Sequence, residues 1–164
     1  MTDNTFKTEY TDGFYEVSVE IGTKGGRFTV PALAHKSAPG LAVTMFPFGC
    51  FTVTHIQSGS SMAIDFQRAS NALVVMSQYA LIADMRGTSW EDLDTKAAAA
   101  FIKEVSGDAV PFDDCTVTSC GETRKMTVAE WFQSVRMPFP DEFPWEDTDP
   151  YEAALENFEK VGGA

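Results

Sequence analysis

A chain of 164 residues, 44% hydrophobic and 22% charged, has the size of one domain and too much apolar content for a disordered one. Its 24 acidic and 12 basic residues give a formal charge of -12. That field repels nucleic acid and anionic membrane surfaces and attracts basic ones, so direct DNA or RNA binding is disfavoured.

The first 65 residues read as sheet. In segment 15–21 apolar residues take every second place, the pattern of a strand with one wet face. The turn Gly22-Thr23-Lys24-Gly25-Gly26 follows, then a second strand over 27–33, where Pro31 marks an edge or bulge. Three more strands are expected over 41–46, 50–56 and 61–65, separated by Pro47-Phe48-Gly49 and Gln57-Ser58-Gly59-Ser60. An antiparallel meander of about five strands accounts for this half.

Residues 66–136 read as mainly helical. Between 66 and 85 apolar residues lie nearly all round the helical wheel, which predicts a buried central helix lying across the sheet. Thr88-Ser89-Trp90-Glu91 has capping-box spacing and predicts a helix running to Val105. Segment 110–126, with Cys115-Thr116-Val117-Thr118-Ser119 and a turn at Gly121-Glu122, predicts a small hairpin. Thr127-Val128-Ala129-Glu130 opens a short helix that Pro138 ends. Sheet first and helices after makes the fold α+β, one domain over 1–164.

The last part, 137–164, carries seven of the twelve net negative charges. It begins as a strap in which Pro138, Pro140 and Pro144 alternate with Phe139, Phe143 and Trp145. Asp149-Pro150-Tyr151-Glu152 then opens a final helix, with proline where a helix tolerates it best. In that helix Tyr151, Leu155 and Phe158 form an apolar stripe, and Glu152, Glu156 and Glu159 form an acidic one about 100° away.

Chemistry-bearing patterns are sparse. Three cysteines, Cys50, Cys115 and Cys120, form no dense framework and fit free thiols in a reducing, cytoplasmic setting. The start at Met1-Thr2-Asp3-Asn4 lacks the basic-then-apolar layout of a signal peptide, and no apolar run reaches the length of a membrane span. His35, His55 and the cysteines show no metal-ligand spacing, so no metal and no cofactor is expected. The Gly22–Gly26 stretch lacks the ending of a phosphate-binding loop and fits a hairpin turn.

His55 alone has a catalytic look, with Ser60 and Asp65 near it in sequence. Without a nucleophile elbow the expected role is structural, a core-facing histidine hydrogen-bonded near the sheet edge, and no catalytic residue is assigned. The site expectation falls instead on Asp141, Glu142, Trp145, Glu146, Asp147, Glu152, Glu156 and Glu159, a surface for a protein partner with a basic face. The corresponding function is a small acidic inhibitor, mimic-like, acting on a nucleic-acid-handling protein, in the manner of phage anti-defence (anti-CRISPR-type) proteins. Two alternatives stand beside it. One is a structural or accessory interaction protein without mimicry, and the other an enzyme or small-ligand binder with a pocket near His55.

Overall fold

The computed structural model of the chain describes residues 11–46, 49–113, 115–137 and 149–162. The strands β1 (Phe14–Thr23), β2 (Gly26–His35), β3 (Leu41–Phe46), β4 (Cys50–His55) and β5 (Ser60–Ser61) form one antiparallel sheet in sequence order. The expected meander is therefore present. Residues Lys24 and Gly25 make the first turn, where the Thr23 hydroxyl accepts from the Gly25 N–H at 3.2 Å and donates to the Gly26 carbonyl at 3.1 Å. The connection expected at Pro47 and Phe48 lies outside the described residues.

Register decides what each face buries. Leu33 pairs with Val43 and Val43 with Val53, so these three stand in line on one face and pack into the main core. The other face gathers Val19, Ile21, Ala32, Ala34 and Ala42 into a second, smaller core. There the buried hydroxyls of Thr44 and Thr54 satisfy each other at 2.7 Å. On β1 the alternation reads as expected, with Glu16, Ser18 and Glu20 exposed.

The second core exists because the sheet curls. Gly59, in the turn after β4, sits at φ +68, and a Cβ there would come 2.5 Å from the Glu20 carbonyl oxygen. The first strand and the far end of the meander thus meet, and the concave side is closed without a second layer of helices.

Helix α1 (Ala69–Met85) is buried at every position from Asn71 to Ala83, as a helix apolar on all sides must be. It packs against β3 and β4 and also against α4 (Pro150–Lys160). It starts three residues later than the apolar pattern predicts. Phe66 exchanges backbone hydrogen bonds with Phe51 at 2.6 and 2.7 Å, so it extends the sheet before the helix can begin.

The next segment also departs from expectation. Trp90–Asp92 forms a separate 3-10 turn capped by Ser89, Leu93 is extended, and α2 (Thr95–Val105) begins behind a new cap. The Asp94 carboxylate accepts from the Ala97 N–H at 2.7 Å, closer than the 3.3 Å from the Glu91 N–H to the Ser89 hydroxyl. A charged cap nearer the alanine-rich run sets the helix start, and the break frees Trp90 to enter the core.

Strands β6 (Thr116–Ser119) and β7 (Glu122–Lys125) form the expected hairpin. Helix α3 (Val128–Ser134) opens with the full capping box between Thr127 and Glu130. An aromatic cluster ties these elements together, with Tyr79 of α1 edge-on to Trp90 (5.5 Å between ring centroids) and Trp131 of α3 (4.7 Å). The polar ends of all three rings are satisfied. Tyr79 donates to the Met62 carbonyl at 2.5 Å, Trp90 to the Tyr79 carbonyl at 2.9 Å and Trp131 to the Gln78 side-chain oxygen at 3.2 Å. Among the described residues no helix is long and apolar enough to cross a membrane.

Candidate functional site

The acidic stripe and the apolar stripe of α4 take opposite roles. Asp149 caps the helix by accepting from the Tyr151 N–H at 2.9 Å, and Pro150 occupies the first turn. Ala154 and Phe158 are buried against the body of the protein, and Leu155 is half-buried. Tyr151, expected in the same stripe, lies at its rim with 36% exposure. Its ring stacks on Phe14 and its hydroxyl donates to the Asp12 carboxylate at 2.9 Å.

Glu152, Glu156 and Glu159 are exposed. The ion pairs among the described residues join Arg27 to Glu20, Arg86 to Glu104 and Asp108, Arg124 to Glu130, and Lys125 to Asp113. None reaches α4. The helix therefore presents three carboxylates, about 4.5–6 Å apart in rise, to solvent. Of the remaining expected contact residues, Asp141, Glu142, Trp145, Glu146 and Asp147 lie outside the described residues.

His55 is only 2% exposed, at the end of β4. Its Nε2 is 2.8 Å from the Trp90 carbonyl oxygen, which can only accept, so this nitrogen carries the proton. Its Nδ1 lies 2.9 Å from the Ser58 hydroxyl. Both nitrogens are thus engaged, with neither Ser60 nor Asp65 among the partners, and the histidine ties the β4 turn to the Trp90 segment. The Ser60–His55–Asp65 constellation does not form.

Two cavities border this framework. One of about 530 Å³ opens over Phe14, Leu33, Val43, Met45 and Tyr151, with Glu16 as its charged residue. The other, about 360 Å³, opens beside His55 between the β4–β5 region and helices α2 and α3. Cys50 and Cys120 are free thiols, Gln78 Nε2 donates to Cys115 Sγ at 3.8 Å, and no group of three or more metal-ligating side chains converges among the described residues.

The sequence pattern gives His35 no role beyond its lack of metal-ligand spacing, yet it is as deeply buried as His55. Its Nε2 donates to the Asp12 carbonyl at 2.7 Å and its Nδ1 accepts from the Ser37 N–H at 3.0 Å. That pair of bonds needs the neutral ring, and burial holds the imidazole below its ordinary value despite the Asp12 carbonyl. The ring stacks on Phe158 of α4, a contact between residues 123 positions apart that leaves no local mark in the sequence.

Compared with known proteins, no protein-family model matches the chain, and no curated protein or solved structure is significantly similar to it.

Proposed function

We propose that the protein is a binding protein whose acidic C-terminal region engages a basic surface of a nucleic-acid-handling protein, acting as a small inhibitor of the anti-defence type. What supports this reading is the division of labour in α4. Its apolar side is used up in packing, while Glu152, Glu156 and Glu159 face solvent and none of them is in an ion pair among the described residues, although Lys160 follows them in the last turn. Long-range attraction by such a field speeds encounter with a basic partner and sets orientation more than it sets final affinity.

Strict imitation of a nucleic-acid strand is a stronger demand. Carboxylates one helical turn apart rise by about 6 Å, whereas phosphates along a duplex strand are spaced about 3.4 Å along the axis. The glutamates of α4 supply roughly every second position. Mimicry needs Asp141, Glu142, Glu146 and Asp147, or acidic residues near Glu91 and Asp113, to fill the gaps.

The test is capture of partners on immobilised full-length protein from an extract of its source organism, followed by titration of each purified partner at increasing salt. The reading expects a basic nucleic-acid-handling protein whose affinity falls as salt rises and which nucleic acid displaces. Partners that are neutral and insensitive to salt would refute it.

A further inference from the structure

We propose that the cavity beside His55 is a binding site for a small organic carboxylate with an apolar body. At about 360 Å³ it is large enough for such a molecule, within the roughly 300–1,000 Å³ of ordinary ligand sites. Its wall is apolar where Met62, Trp90, Ile102 and Phe132 line it, and Ala98 and Ala99 leave the space open by having no longer side chain to fill it.

The charge at the cavity is opposite to that of the chain. Acidic residues outnumber basic ones two to one, yet among the described residues no carboxylate lines this cavity, and Lys103 and Arg136 do. Neither cation has an ion-pair partner among the described residues. The Arg136 guanidinium sits 5.1 Å from the centre of the Phe132 ring, which positions its fork at the lining. A planar fork of donors matches a carboxylate in two parallel hydrogen bonds.

The Ser60 hydroxyl, exposed at the cavity, adds to the polar side, whereas Ser61 donates its proton to the Ala63 carbonyl at 2.8 Å. His55 serves as support here, because both its nitrogens are already engaged and it holds the Ser58 turn and the Trp90 segment in place. The arrangement is an apolar slot with two cations and a hydroxyl, suited to the head and tail of one amphiphilic anion.

Octanoate is the probe, titrated into the full-length protein by calorimetry, with octanol and inorganic phosphate as the two halves of the ligand tested alone. Octanoate is expected to bind with a dissociation constant below about 1 mM, and neither octanol nor phosphate should compete with it at equal concentration. Arg136→Gln should weaken octanoate about tenfold or more through loss of a charge-assisted pair. Ala99→Phe, at an exposed position, should abolish binding by filling the slot while leaving the urea midpoint near that of wild type. No octanoate binding, equal binding of octanol, displacement by phosphate, or unchanged binding in a folded Ala99→Phe variant would each overturn the assignment.

Discussion

The imidazole of His35 lies flat on the ring of Phe158, with centroids 3.9 Å apart and planes 9° from parallel. Phe14 meets both rings edge-on, at 4.7 Å from His35 and 5.9 Å from Phe158. A neutral histidine at the end of β2 therefore forms part of the seat of α4. Anything that charges this ring also disturbs the helix that carries the acidic face.

The direction of the pH effect follows. The folded state holds His35 below its ordinary value, so the unfolded chain binds the extra proton first. Stability from this group is full above about pH 6.5, the ordinary histidine value, and is lost as pH falls below it. The urea midpoint should drop between pH 7.5 and 5, and His35→Gln should flatten that slope even though it lowers the midpoint overall. An equal slope in the variant would show that His35 does not link protonation to folding.

The central helix is tested by cavity formation. Leu73 and Met76 are 4% and 0% exposed, with the sheet on one side and other helices around them. Truncating either to alanine should cost roughly 2–5 kcal/mol, read from urea unfolding. A midpoint unchanged by either substitution would contradict the placement of α1.

Gly40 tests how the Trp90 segment docks on the sheet. It has φ +88, and a Cβ there would lie 2.2 Å from the Glu91 backbone nitrogen. Gly87 also has positive φ, +64, but has open space around it. Gly87→Ala should cost about 1–2 kcal/mol for the left-handed backbone alone, and Gly40→Ala distinctly more, since backbone cannot move aside as a side chain can. Equal losses in the two variants would mean that the docking is looser than described.

Much of this architecture was legible in the sequence. The strands of the meander, the all-round apolar helix and the Thr127–Glu130 cap each rest on local periodicity or local hydrogen bonding. What was hidden depends on contacts distant along the chain. Phe66 reads as helix until Phe51 claims it for the sheet, and Thr88-Ser89-Trp90-Glu91 reads as a helix start until Trp90 is drawn into the core. The acidic stripe of α4 could be read from spacing alone. The cationic cavity could not, because Lys103 and Arg136 come together only when α2 and α3 pack.

The cap of α3 yields a second pH prediction in a separate window. The Arg124 guanidinium, with help from the Thr127 backbone, pulls the Glu130 carboxyl down to about 2. A lowered carboxyl stabilises the fold above its unfolded value near 4.5, and this contribution is lost as pH falls toward 2. Glu130→Gln should remove that component of acid sensitivity and leave the slope between pH 5 and 7.5 intact. A changed slope in the upper window would mean that the two titrations are not independent.

The acidic face of α4 is the central claim, and replacing Glu152, Glu156 and Glu159 together by glutamine tests it most directly. The substitution keeps side-chain size and helix propensity while removing three exposed charges. Its urea midpoint should stay close to wild type, because none of the three pairs with a cation among the described residues. Affinity for the captured basic partner should fall by roughly 3- to 100-fold at low salt, as expected for three exposed ion pairs, with the gap closing as salt rises. A folded triple variant that binds the partner as wild type does, with affinity flat from low to high salt, would contradict the account.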